Sequence, residues 1–308
     1  MMKNIFFILI CISGNVFTCQ RAPKELHLHF DINKTIIAMD AVQGKGLEET
    51  INGVLAEFTF AKWNGEQNQS YYEYVTNTIA QENPQLARAS EIFKSVRTER
   101  LKKFPLYLEH YHPQLLFQYG QEKALMLEIL DKKEMVIFPS FFKAILWLNS
   151  TYPNQFALYL RTFGKDLPEV VPAIESTTPL KFAGLGGFQG NNLFIQSKQK
   201  ILLEFFRNPE RKHYAIQDDY AQWKLHGFQA QGGKPFPIDL SNTEVIPIFF
   251  DDNANDPDKP IIQPVRPDGS LEDTQELLKR GNLVAVNPKE AILDEDYFIK
   301  KIQAVCQN

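Results

Sequence analysis

Four stretches of this chain set polar side chains where apolar runs stop. The alternating run Leu26-His27-Leu28-His29-Phe30 reads as a strand and ends in Asp31-Ile32-Asn33-Lys34-Thr35. Phe156–Arg161 is a β-rich run that ends in Thr162. Lys234 sits in Gly232-Gly233-Lys234-Pro235-Phe236-Pro237, and seventeen residues after it the run Val245–Phe250 ends in Asp251-Asp252. A carboxylate at the carboxyl end of a strand, followed by small and polar residues, is where open α/β sheets place their chemistry. Two adjacent acids at the end of a buried strand are costly unless a cation accompanies them. Each stretch alone has a plainer reading: an Asx-turn at Asp31, a strand-end Thr, a Gly-Pro loop with an incidental lysine.

The elements that must position these residues alternate. Leu47–Phe60, Tyr71–Ala80, Pro84–Lys103 and Gln121–Lys133 read as helices, so about a hundred mainly helical residues separate the first strand from the next sheet element. Ser140 is expected to cap a helix running to Asn149. Leu167–Ile174 and Lys200–Phe206 read as helices, and His213–Gln217 as a strand ending in Asp218-Asp219. That second acidic pair competes with Asp251-Asp252, but its strand is less apolar and no lysine lies suitably upstream. Glycine-rich Gly184–Gly190 reads as a flexible loop, not a dinucleotide turn, because no strand leads into it and no helix follows. Leu271–Lys279 reads as a helix ended by Gly281, Asn282–Val286 as a further strand and Asp294–Val305 as a closing helix. Strands alternating with helices argue for an α/β fold with a doubly wound parallel sheet.

Taken together and in this order, the four stretches resemble the motifs of the haloacid dehalogenase-like superfamily, phosphatase type. Asp31-Ile32-Asn33-Lys34-Thr35 resembles its DxDxT motif with Asn33 in place of the second Asp; Thr162, Gly233-Lys234-Pro235 and Asp251-Asp252 resemble motifs II, III and IV. The resemblance spans roughly residues 24–290. It implies a core of 19–40 and 136–308 with a helical cap inserted at 41–135, which closes over the site. It implies Asp31 as a nucleophile that becomes an aspartyl-phosphate, Lys234 and Thr162 on the phosphoryl oxygens, and Mg²⁺ held by Asp31, the main-chain carbonyl of Asn33, and Asp251 or Asp252. Asn33 departs from the pattern, because an amide neither protonates a leaving group nor activates water. The resemblance therefore leaves three outcomes: a slow phosphatase for a small phosphate ester, a slow phosphotransferase, or a non-catalytic binding protein.

Other classes find little support. A formal net charge of −4 argues against a general nucleic-acid binder. The three cysteines, Cys11, Cys19 and Cys306, form no CxxC pair, so neither a zinc knuckle nor a disulfide scaffold is indicated. His27 with His29, and His110 with His112, have no third ligand at a metal-binding spacing. The basic stretch Pro84–Lys103 reads either as a solvated face balanced by Glu91 and Glu99 or as a contact with an anionic substrate. Residues 1–18 have Lys3, an apolar core and a small polar end, the pattern of a secretory signal peptide. An exported protein is expected, periplasmic or secreted, with lipid at Cys19 an option and membrane contact only through these two features.

Overall fold

A computed structural model of the chain describes residues 25–38, 46–65, 67–88, 90–130, 137–207, 212–257 and 259–307. The candidate signal segment 1–18, with Cys11, and Cys19 after it lie outside the described residues, as do the last three residues expected for the helix Gln121–Lys133.

The protein is α/β, with a mostly parallel central sheet. Strand β1 (Glu25–Asp31) is followed by the two-residue strands β2 (Phe60–Ala61) and β3 (Gln69–Ser70). Then come β4 (Phe156–Thr162), β5 (Phe182–Gln189), β6 (Asn192–Ile195), β7 (Lys198–Lys200), β8 (His213–Gln217), β9 (Lys234–Pro237), β10 (Val245–Asp251), β11 (Ile262–Val265) and β12 (Leu283–Ala285). The main sheet runs β12-β10-β1-β4-β8-β5-β6-β7, parallel from β12 to β5 and antiparallel at β6 and β7.

Both faces of β1 are buried, which its alternation alone does not demand. Leu26, Leu28 and Phe30 face one helical layer, and Phe30 packs edge-on against Phe141 and Phe298 at 5.1 and 5.3 Å. His27 and His29 face the other layer. His29 stacks on Tyr159 at 4.6 Å and on Phe249 at 5.3 Å. Strands covered on both faces need apolar or aromatic partners on each, and here two histidines take that place.

Helices α1 (Leu47–Phe58), α2 (Tyr71–Glu82), α3 (Glu91–Lys102), α4 (Phe104–Tyr111) and α5 (Pro113–Leu130) lie between β1 and the rest of the main sheet in chain order. Helix α2 begins with a full capping box, Ser70 and Glu73 bonding each other's backbone. Helix α3 starts at its Ser90 cap rather than at Pro84, since Ser90 accepts from the Phe93 amide. Trp63, Tyr71, Tyr74, Phe104, Tyr107 and His112 pack ring against ring among these helices. Helices α6 (Pro139–Thr151), α7 (Leu167–Thr177), α8 (Leu202–Arg207), α9 (Tyr220–Leu225), α10 (Thr274–Arg280), α11 (Pro288–Leu293) and α12 (Tyr297–Gln307) complete the layers. Among the described residues no helix is long and apolar enough to cross a membrane.

Two expectations are corrected. Gly184–Gly190 is not a loop: most of it belongs to β5, which pairs in parallel with β8 and antiparallel with β6. The glycines serve close packing, since a Cβ on Gly186 would lie 2.3 Å from Ile195 Cδ1 and 2.6 Å from the Phe194 carbonyl. Ser140 does not cap α6. The N-cap position is Phe138, and the Ser140 hydroxyl donates instead to the Ala291 carbonyl at 2.5 Å, tying α6 to α11.

Candidate active site and cation centre

The register of the sheet brings the first and fourth stretches together. Phe30 pairs with Phe250, so Asp31 and Asp251 are the next residues of two neighbouring strands at the same sheet edge. Asp31 also pairs with Arg161, the residue before Thr162 on the other flanking strand. Lys234 arrives from β9, which pairs with β11 rather than with the main sheet. Its Nζ donates to Asp31 Oδ1 at 2.5 Å and to Asp251 Oδ2 at 2.6 Å, and all three side chains are buried. The residue before Lys234 must be small for the chain to pass here. A Cβ on Gly233 would lie 2.3 Å from the Ile261 carbonyl oxygen.

Thr35 closes the arrangement: its Oγ1 accepts from the Asp252 amide at 3.1 Å, linking the loop after β1 to the loop after β10. Asn253 adds its own bonds, its amide to Asp251 Oδ1 at 2.9 Å and its side chain to Asp252 Oδ1 at 2.8 Å. Thr162 is fully buried at the end of β4, with Oγ1 accepting from the Gly164 amide at 2.8 Å. Among the described residues the Thr162 hydroxyl proton has no acceptor. Of the competing acids, Asp218 forms a buried ion pair with Arg161, which also donates to the Pro235 carbonyl at 2.8 Å and to His29 Nδ1 at 3.2 Å. Asp219 caps α9 and holds the Gly190 amide. That pair supports β4, β8 and β9 from behind the site.

The charge count decides what the site can hold. Carboxylate oxygens of Asp31, Asp251 and Asp252 lie within 4.8 Å of one another. Three carboxylates face Lys234, and the nearby Lys34 is offset by Glu57, which leaves two negative charges uncompensated when all are ionised. Burial pushes the Asp31 carboxyl up from 3.8 to about 7 against the pull of Lys234, and Asp251 adds to the rise. Burial also raises Asp252 well above the usual carboxylate range, opposed by Lys34 and reinforced by Asp251 and Asp31. Burial works against the Lys234 ammonium, but Asp251 and Asp31 outweigh it and hold its pKa above the ordinary lysine value. Hard oxygen donors with two charges to spare fit a divalent cation of the Mg²⁺, Mn²⁺ or Ca²⁺ kind. Both oxygens of Asp251 are already engaged, by Lys234 and by the Asn253 amide. Lys234 bonds Asp31 and Asp251 but not Asp252, so among the described residues Asp252 has the least compensated charge of the three.

A pH dependence follows. Folded Asp31 keeps a proton that the unfolded chain releases between 3.8 and about 7. The cation-free protein should therefore lose stability as pH rises through that window, the reverse of a salt-bridged Asp with a lowered pKa. Urea midpoints in chelator at about pH 5 and pH 8 test this. Asp252→Asn should flatten the slope and raise the midpoint at the higher pH; an unchanged slope would refute the charge count.

Asn33 brings in a residue that the sequence stretches did not single out. Its Nδ2 donates to Asp166 Oδ2 at 2.9 Å, while its Oδ1 is buried without a partner among the described residues. Asp166 occupies the N-cap position of α7 but makes no cap bond with its side chain. An Asp at that position ordinarily accepts from the helix's own amides. Here the carboxylate is buried and turned toward Asn33 instead. The only sequence signal was an acid four residues past Thr162.

The chain matches no family model. It matches no curated protein and no solved structure. The chemistry therefore rests on the geometry itself and on the resemblance of the four short motifs.

Proposed function

We propose that the protein is a Mg²⁺-dependent phosphohydrolase of the haloacid dehalogenase-like type, acting on a small phosphate ester through an aspartyl-phosphate. The observation that carries this reading is Lys234 bonded to both Asp31 and Asp251, with Asp252 alongside, at the carboxyl edge of a parallel sheet. Helices α1–α5 serve as the cap. On this reading the protein is exported, on the pattern of residues 1–18 alone.

In the first step Asp31 attacks phosphorus and the bond from phosphorus to the leaving oxygen breaks. Lys234 neutralises the incoming charge, and the Thr162 hydroxyl donates to a phosphoryl oxygen. Mg²⁺, when held by Asp31, Asp252 and the main-chain carbonyl of Asn33, supplies further neutralisation of a highly charged group. In the second step water attacks the aspartyl-phosphate, phosphate departs and Asp31 is regenerated. The leaving oxygen needs a proton and the water must lose one. Asn33 can do neither, and Asp166 is the carboxylate that stands beside it.

The first test is Mg²⁺-dependent hydrolysis of 4-nitrophenyl phosphate by the purified protein, with Asp31→Ala as control. Turnover is expected in wild type, and its loss by at least about 10³-fold in the variant, because removing a covalent nucleophile leaves only positioning. Asn33 favours a second reading, in which the same pocket binds without hydrolysing or transfers phosphate slowly. Inertness of wild type across many phosphate esters would move the weight to it.

A further inference from the structure

The cations of α3 are not equivalent. Lys94 pairs with Glu91 at 2.6 Å, Arg100 with Glu82 at 2.5 Å and Lys102 with Glu99 at 3.0 Å. These three form the solvated, balanced face. Arg97 pairs with no carboxylate among the described residues. Its guanidinium lies over the ring of Tyr72, 4.6 Å from the centroid. Stacking of this kind occupies the flat face of the guanidinium and leaves its in-plane N–H fork open to an anion.

Tyr72 is in the first turn of α2 and is half-buried. Its hydroxyl makes no hydrogen bond among the described residues. Besides Arg97, the charges within electrostatic reach of it are Glu57 from α1, Lys34 and Asp256. Two of these belong to the active-site loops: Lys34 follows Asn33, and Asp256 follows the Asp251-Asp252 pair. Lys34 adopts φ +57, a conformation L-residues rarely take, and its Nζ lies 3.4 Å from Glu57 Oε2. The ion pair ties the loop of Asn33 to α1. Lys34 and Glu57 also act on Asp252. Arg97 and Tyr72 thereby stand within electrostatic reach of the loops that follow Asp31 and Asp251.

We propose that Arg97, stacked on Tyr72, receives a second anionic group of the substrate, so that the site selects phosphate esters carrying a carboxylate or a further phosphate. Resting on the phosphate-site reading of Asp31 and Lys234, this names a substrate class: a small dianionic or polyanionic ester bound between two cations, Lys234 at the reacting end and Arg97 at the far end. On this proposal the Tyr72 hydroxyl donates to the same anion.

The test reads binding, so that it does not depend on turnover. The purified protein with Mg²⁺ is titrated calorimetrically with phenylphosphonate, 4-carboxyphenylphosphonate and 1,4-phenylenebisphosphonate. One or both of the doubly anionic compounds should bind about tenfold tighter than phenylphosphonate, as expected of a charge-assisted contact; which of them does so distinguishes a carboxylate from a phosphate as the preferred group. In Arg97→Ala that ratio should fall to about one, and Arg97→Lys should restore only part of it, because the ammonium lacks the fork. Arg88→Ala removes a charge bonded to Asn77 and should keep the wild-type ratio. Equal binding of the three compounds by wild type, binding of none, or an unchanged ratio in Arg97→Ala overturns the proposal. A preserved ratio with no hydrolysis of 4-nitrophenyl phosphate would instead remove the hydrolase reading and leave the anion selectivity in place.

Discussion

Replacing Asn33 with Asp raises the rate of aryl phosphate hydrolysis by about 10²- to 10⁴-fold, the usual worth of a positioned acid–base group. The new carboxyl would stand where Nδ2 now lies, 2.9 Å from Asp166 Oδ2. Two carboxyls that close share one proton, so one of them is a ready acid near neutral pH while its neighbour is ionised. The wild-type protein has only the amide and, behind it, Asp166. Asp166→Asn in the wild-type background should therefore cost at least about tenfold in kcat if Asp166 handles the proton. In the Asn33→Asp background the same change should cost less, because the new carboxyl takes over. The double-mutant cycle is the measurement. If Asn33→Asp gains nothing while Asp31→Ala remains inactive, the amide is not what limits the rate. If Asp166→Asn is silent in both backgrounds, Asp166 only orients Asn33.

The second large effect falls on stability. Lys234→Met should destabilise the cation-free protein by about 3–5 kcal/mol at pH 8, the range typical of removing one partner of a buried ion pair. Met matches the stem of the lysine, so lost packing contributes little. What remains is two buried carboxyls, Asp31 and Asp251, with no cation between them. The loss should shrink toward pH 5, where Asp31 can enter the fold protonated, and Mg²⁺ should recover part of it at pH 8 because a bound ligand stabilises only the folded state. Chemical denaturation at both pH values, with and without Mg²⁺, resolves these effects. Equal destabilisation at both pH values would mean that shape, not charge, is what Lys234 supplies.

The site was legible where a polar residue ends an apolar strand. Asp31, Thr162 and Asp251 terminate β1, β4 and β10, and a parallel sheet brings the carboxyl ends of neighbouring strands together whatever their separation in sequence. Lys234 was legible through its glycines and prolines, although it lies on a short strand rather than in a loop. Four things were not legible. The strand β5 was hidden because its glycines, which mean looseness in isolation, here allow Ile195 to pack against the backbone. Asp166 was hidden because an acid before a helix reads as a cap, and only the fold shows its carboxylate turned to Asn33. Arg97 was hidden among like charges, since pairing distances, not composition, separate it from Lys94, Arg100 and Lys102. Helix α4 also escaped notice because Pro105 falls inside a continuous apolar stretch; at a first helical turn proline is well tolerated.

The outer end of the sheet has a consequence of another kind. Beyond β8 the sheet adds three more strands and finishes with Lys198-Gln199-Lys200, all exposed. An open strand edge invites a neighbouring molecule to continue the sheet with its own backbone. Here the last strand is only three residues long and presents two lysines, so a second copy of this chain would bring its own pair of ammonium groups against them. At the other end β12 is equally short, and α10 runs directly into it through Gly281. A sheet of eight strands thus closes at both ends on segments too short and, at β7, too charged to serve as templates, which lets the protein be concentrated without its sheets joining.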